Sequence, residues 1–281
     1  MSKTIAFANL KGGTGKTTIC INIAGCLTVI HPKSRILVVD FDPQANATSG
    51  LGIDEDSIKN SMYDVVLNQS HKSKGVPITQ AILETQIENI HLVPSELNLA
   101  AASVLMQQVK DKVGTLNRIL TLIKSYYNYI LIDVPSDTGL FMLNSLRAAD
   151  EAVIPIDSSI FSLEALEKFQ TYCQDIRQMT GHTINRFTVV FNRYTKSKAS
   201  YQSNKLLKNS TFEELEEVVK GMSYALYKIP ESLLVYRSQK EGMPISHISP
   251  NSKIVKNYME IASYLSAVSY THLRAHETRT H

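Results

Sequence analysis

The sequence predicts an α/β domain built on one doubly wound, mostly parallel sheet of about seven strands, with helices on both faces. Seven apolar runs do not alternate in polarity, which is the pattern of strands buried on both faces. Stretches with helical spacing separate those runs, as crossover connections between parallel strands require. A glycine-rich turn, Lys11 to Thr18, lies between the first apolar run and the first helical pattern.

The strands are expected at Ile5–Ala8, Ile36–Val39, Ile90–Val93, Tyr129–Ile132, Ala152–Ile156, Thr188–Phe191 and Ala225–Ile229. Helices are expected at 16–29, 97–108, 114–127, 140–149, 160–179, 206–220 and 253–267. No linker divides the chain, so residues 1–267 read as a single domain, and 281 residues are enough to bury a large core. The polar end, 268–281, resembles translated vector sequence and is set apart from the fold. His272 and His276 in it have the spacing of a metal pair, but nothing else there supports a metal site.

Composition narrows the function classes. Hydrophobic residues make up 43% and charged residues 20%, which excludes a disordered or fibrous chain. The formal net charge of +3 is too small to argue for nucleic acid unless the charge is clustered. Cys20, Cys26 and Cys173 form no CxxC pair and read as buried thiols of a cytosolic protein. The start runs straight into the first strand without a signal-peptide pattern, and no apolar stretch reaches membrane-spanning length. A cytoplasmic protein is expected.

The turn Lys11-Gly12-Gly13-Thr14-Gly15-Lys16-Thr17-Thr18 carries the chemistry. To hold a polyphosphate, backbone N–H groups must converge on the anion, and side chains would block that approach. A helix starting near Thr17 aims its partial positive end at the same phosphates. Lys16 can then reach the β- and γ-oxygens, and the Thr17 hydroxyl can ligate Mg²⁺. A second lysine, Lys11, directly precedes the Gly-Gly pair, which makes this the deviant Walker A form of the P-loop.

Ligands of doubly wound sheets bind beyond the carboxyl ends of the strands. The polar residues there are Asp40 and Asp42 after the second strand, Asp133 after the fourth, and Asn192 and Arg193 after the sixth. Asp133 closes its apolar strand in the manner of a Walker B carboxylate, which binds Mg²⁺ directly or through water. Arg186, Arg193, Lys196, Lys198, Lys205 and Lys208 form a run with no acidic residue until Glu213. Such a run can neutralise nucleic-acid phosphates, and it is equally the composition of a solvated loop.

The segments KGGTGKTT, VVDFDPQANATSGLG (38–52) and ILIDVP (130–135) together resemble the ParA/Soj-type partition ATPases, over about residues 3 to 265. The resemblance implies ATP and Mg²⁺ as cofactors, and a homodimer that forms on ATP binding with Lys11 crossing to the partner's nucleotide. It implies that Asp42 positions the hydrolytic water while Asp40 supports the loop. Asn192 and Pro230 would contact adenine. The ATP dimer would bind DNA without sequence preference on the nucleoid, and a ParB-like adaptor would stimulate its slow hydrolysis, with no membrane partner. The stretch IPESLLVYRSQKEGMPI, 229–245, lacks the family's basic residue at its third position, which leaves Arg237 and Lys240 as the backbone contacts to consider. Val134-Pro135-Ser136-Asp137 likewise departs from the usual Pro-Pro after the Walker B neighbour. A MinD-like ATPase that positions a partner at the membrane shares these motifs and is the alternative; it requires a C-terminal amphipathic helix. An iron–sulfur reductase would need cysteines placed for a shared cluster, which Cys20, Cys26 and Cys173 are not.

Overall fold

The computed structural model describes residues 2–69, 75–157, 162–194, 216–222 and 224–267. Strands β1 (Lys3–Phe7), β2 (Ile36–Asp40), β3 (Leu83–Glu84), β4 (Ile90–Val93), β5 (Tyr129–Asp133), β6 (Glu151–Ile156), β7 (Arg186–Tyr194) and β8 (Ala225–Pro230) form one sheet. Its order is β3-β4-β2-β5-β1-β6-β7-β8, and every pairing is parallel except the antiparallel contact of β3 with β4. All seven expected strands are present. The short edge strand β3 is an addition, because two residues carry no periodicity that a sequence could reveal.

The strands are apolar throughout because helices cover both faces. On one face, Ala6, Leu37, Val39, Ile130, Ile132 and Ile154 pack against α3 (Met62–Leu67), α4 (Leu99–Gln107), α5 (Thr115–Thr121), α6 (Leu140–Ala148) and α7 (Ser162–Thr180). On the other, Ile5, Phe7, Ile36, Val38, Leu131 and Val153 pack against α1 (Lys16–Ile30) and the last described helix, Lys253–Ser266. That helix directs Ile254, Tyr258, Ile261 and Leu265 into the core, so its apolar face is already occupied. Helix α1 is buried almost all round, and Gly25 lets Pro244 and Ser246 approach it closely.

Several elements differ from expectation. The helix expected at 114–127 ends at Thr121, and the chain continues as a 3₁₀ turn at Lys124–Tyr126. Tyr127 turns inward there, its hydroxyl 2.8 Å from Nδ1 of His91, which takes it off the helical path. The helix expected at 206–220 lies mostly outside the described residues, of which 216–221 are helical. The end 268–281 also lies outside them. Three short helices, α2 (Asn46–Gly50), α3 and α9 (Ile245–Ile248), and the longer α8 (Leu233–Glu241) were not expected; with them, Lys253–Ser266 becomes α10. Among the described residues no helix is long and apolar enough to cross a membrane.

At the amino-terminal ends of the strands, away from the glycine-rich turn, Glu151 is 3% exposed and ion-paired to two cations. Lys3 Nζ lies 3.1 Å from Oε1 and Arg186 Nη2 lies 2.7 Å from Oε2. Lys3 also donates to the Leu265 carbonyl at 2.7 Å, and the Arg186 guanidinium lies 4.4 Å from the Tyr264 ring centroid. The network ties the starts of β1, β6 and β7 to the end of α10. Replacing Glu151 by Gln leaves two largely covered cations without their counter-charge, and should lower the unfolding free energy by about 3 kcal/mol. Urea denaturation checks this, and an unchanged midpoint would show that the network does not stabilise the sheet.

Candidate functional site

The carboxyl ends of β1, β2, β5, β7 and β8 surround a cavity of about 640 Å³, the size of small-molecule sites in general. Its floor is the turn that joins β1 to α1. Gly13 and Gly15 there have φ of 73° and 97°, a left-handed backbone that glycine adopts without steric cost. Gly15 is the N-cap of α1 and no side chain caps the helix, so the first turn of N–H groups faces the cavity.

Lys16 is only 6% exposed. Its ammonium donates to Ser136 Oγ at 2.5 Å, and burial lowers its pKa against the opposing pull of Asp133, Asp42 and Asp137. The Thr17 hydroxyl donates to Asp133 Oδ2 at 2.6 Å. Among the described residues, the second carboxylate oxygen of Asp133 is buried without a hydrogen-bond partner. Burial raises the pKa of this carboxyl well above the usual range, and the charge of Asp40 adds to the effect. A hydroxyl beside a buried carboxylate with an unused oxygen is an all-oxygen donor set of the kind Mg²⁺ takes. Among the described residues no group of three or more His, Cys, Asp or Glu forms a complete metal cage. Mg²⁺ does not need one, because it keeps waters and substrate phosphates as ligands.

Asp40 and Asp133 are register partners on adjacent strands. Asp40 accepts the Thr48 N–H at 2.8 Å, the Thr48 hydroxyl at 2.7 Å and the Asp42 N–H at 3.3 Å. Burial pushes its pKa up to about 7 despite those bonds. It therefore braces the loop and α2, the role that the family resemblance implies for it. Asp42 lines the cavity, its Oδ1 accepting the Gln44 N–H at 2.9 Å.

Asn192 and Pro230 both line the cavity. The Asn192 amide donates to the Thr14 carbonyl at 2.9 Å, and its oxygen accepts the Arg193 N–H at 3.0 Å. It is thus a brace of the glycine-rich turn at 6% exposure. Arg193 sits differently from an outward basic surface: it has φ of 56°, lines the cavity and donates to the Gly13 carbonyl at 2.5 Å. Lys196, Lys198, Lys205 and Lys208 lie outside the described residues. Arg237 is on the outer side of α8, paired with Glu241 at 2.6 Å, and Lys240 is on the same helix. Lys11 is ion-paired at 2.7 Å with Asp157, just beyond β6.

Sequence reasoning missed Ser136, Gln239 and Asp157 as parts of the site. Ser136 was visible only as a departure after Asp133, and Gln239, which donates to Thr18 Oγ1 at 2.9 Å, is 221 residues away in the chain. No spacing rule connects positions so far apart.

A glycine turn feeding a helix N-terminus, a lysine within it, and a threonine–aspartate pair below define a P-loop nucleotide-binding site. Comparison with known proteins places the chain more narrowly. A family model described as an AAA domain matches residues 2–186. The sporulation initiation inhibitor protein Soj of Bacillus subtilis (strain 168) is 31% identical over 269 residues, covering 95% of this chain and 99% of that protein. The chromosome-partitioning ATPase Soj of Treponema pallidum (strain Nichols) is 28% identical, over 95% of this chain and 98% of its own. Among solved structures, the septum site-determining protein MinD of Pyrococcus horikoshii OT3, complexed with Mg-ADP, superposes with a TM-score of 0.73 at 23% identity, over 96% of this chain and 98% of that one. The chain belongs to the ParA/Soj family of P-loop ATPases.

Two glycines of the turn should respond differently to alanine. A Cβ at Gly15 would collide with the Asn192 amide, at a φ that alanine rarely adopts, whereas one at Gly12 would meet Ser136 Oγ at an ordinary 3.7 Å. Gly15→Ala should therefore cost about 1–3 kcal/mol of stability and Gly12→Ala less than about 0.5 kcal/mol. Thermal denaturation checks the contrast, and equal losses would contradict it.

Proposed function

We propose that the chain binds ATP with Mg²⁺ in this cavity, dimerises on it, hydrolyses it slowly and acts in chromosome or plasmid partition. The observation that carries the nucleotide assignment is the contact of Thr17 with Asp133, whose other oxygen is buried and unmatched beneath the glycine-rich turn. The naming of a relative as a chromosome-partitioning ATPase supports the biological role. The Mg-ADP in the MinD structure supports the choice of ligand.

In this assignment the first-turn N–H groups of α1 and the Lys16 ammonium bind the β- and γ-phosphates, Lys16 exchanging the Ser136 hydroxyl for phosphate oxygens. Bound Mg²⁺, held by Thr17 and by Asp133 directly or through water, supplies positive charge against the phosphates. Asp42 orients a water for in-line attack on the γ-phosphorus, contributing position rather than strong basicity. Lys11 leaves Asp157 and reaches the nucleotide of the second subunit, adding charge in trans as an arginine finger does. Asn192 and Pro230 face the base. The dimer then binds duplex DNA without sequence preference through Lys196, Lys198, Lys205 and Lys208 with Arg237 and Lys240, while Arg193 serves the nucleotide end. A ParB-like adaptor resets the dimer on the nucleoid by stimulating hydrolysis.

Two variants separate binding from chemistry. Lys16→Ala should weaken ATP by at least about tenfold, the loss of a charged hydrogen bond to phosphate. Asp42→Ala should keep wild-type ATP affinity within about twofold, reduce hydrolysis by roughly a hundredfold and accumulate as a dimer in light scattering. That trapped dimer should bind DNA with a steep salt dependence, and changing Lys196, Lys198 and Lys205 together to Ala should flatten the slope by about 0.9 for each phosphate that is no longer neutralised. Unchanged ATP affinity in Lys16→Ala would overturn the site, and an unchanged salt slope would remove the basic segment from the DNA surface.

A further inference from the structure

One wall of the cavity is a face of α8. Ser232, Val235, Tyr236 and Gln239 all line it, at the i, i+3, i+4, i+7 spacing of a single face of α8. The two ends of that face are fixed relative to the site. Gln239 donates to the hydroxyl of Thr18 in the first turn of α1, at the phosphate end. Ser232 caps the other end of the helix, two residues after Pro230, beside the Asn192 side of the cavity. Tyr236 lies between them along the helix and lines the same cavity as the glycine-rich turn.

Three features make Tyr236 distinctive. It is the one aromatic ring among the described residues that line this cavity. It is 69% exposed, so a large apolar ring on the wall of a polar cavity is left open to solvent. The contacts that anchor α8 come from its neighbours: Leu234 and Val235 pack against the core, and Gln239 donates to Thr18 Oγ1 at 2.9 Å. Aromatic rings beside flat π-systems gain stacking energy that a phosphate cannot provide.

We propose that the Tyr236 ring packs on the nucleoside of the bound nucleotide and is the residue that favours a nucleotide over a bare polyphosphate, an inference that rests on the nucleotide assignment above. The phosphate end supplies charge and little discrimination, since any polyphosphate satisfies it. Stacking is sequence-tolerant by nature because every base has a π-face, so Tyr236 adds affinity for the nucleoside while the edge contacts of Asn192 choose among bases.

The test uses the full chain with two probes, ADP and inorganic tripolyphosphate, at concentrations where light scattering shows monomer. Tyr236→Ala should weaken ADP roughly tenfold while leaving tripolyphosphate unchanged, and Tyr236→Phe should restore ADP binding because the ring is kept. The chain has no tryptophan, so Tyr236→Trp creates a single tryptophan, excitable selectively over the tyrosines, whose emission should respond to ADP and not to tripolyphosphate. Equal ADP affinity in wild type and Tyr236→Ala overturns the inference, as does an equal loss of both probes, which would mark damage to the whole site. A defect confined to ATP-driven dimerisation, with ADP binding intact, would place Tyr236 at the subunit contact and also overturn it. Wild-type protein that binds tripolyphosphate but not ADP contradicts the nucleotide assignment itself, a result distinct from failure of Tyr236 alone.

Discussion

Two carboxylates, Asp40 and Asp133, stand side by side on adjacent strands, both fully buried, at the point where the sheet meets the glycine-rich turn. Burial opposes the charge of both, and a nearby carboxylate adds to it, Asp42 at Asp40 and Asp40 at Asp133, which is why each carboxyl holds its proton to higher pH than usual. Their surroundings resolve the conflict unequally. Asp40 receives three hydrogen bonds from Thr48 and Asp42, and so acts as a fixed anchor for the loop that carries Asp42. Among the described residues, the Asp133 side chain receives only the Thr17 hydroxyl and keeps one oxygen unmatched. A cation beside Asp133 relieves the repulsion, the desolvation and the unmatched oxygen together. The architecture above the pair follows: α1 must begin within reach of Asp133, and Lys16 must lie close enough to offset its charge.

The walls of the site are drawn from remote parts of the chain. The turn before α1 supplies the floor, β7 braces it through Asn192, and α8 closes one side through Gln239. Lys11 and Asp157, 146 residues apart, meet because β1 and β6 are neighbours in the sheet. The Lys11–Asp157 pair is partly exposed, so its strength is modest and compatible with exchange for a phosphate. The cysteines take no part: Cys20 and Cys26 are buried within α1, and burial pushes the Cys26 thiol up to about 12, which keeps it protonated.

How much of this could be read beforehand depended on the range of the signal. The floor of the site was legible because a strand, a glycine turn and a helix lie in one short stretch, and Asp40, Asp42 and Asp133 because strand ends are marked by loss of apolar character. Strand β3 was not, since two residues show no period. Helices α2, α3 and α9 are too short for their spacing to stand out, and α8 begins three residues after the proline that ends β8. Arg193 illustrates a different limit. Lysines follow it from Lys196 onward, which suggested a common basic surface, but its positive φ turns the side chain back to Gly13, and no composition argument could foresee that. Asn192 was legible as a site residue, while the bond that holds it to the Thr14 carbonyl was not.

The claim that Asp133 is completed by a cation can be measured directly by titrating ADP into wild-type protein and Asp133→Asn, with Mg²⁺ and with the ion chelated. The account predicts that Mg²⁺ strengthens ADP binding to wild type by about tenfold or more. In the variant, which keeps the shape but loses the charge, Mg²⁺ should make little difference. Equal strengthening by Mg²⁺ in both proteins would contradict the role given to the buried aspartate.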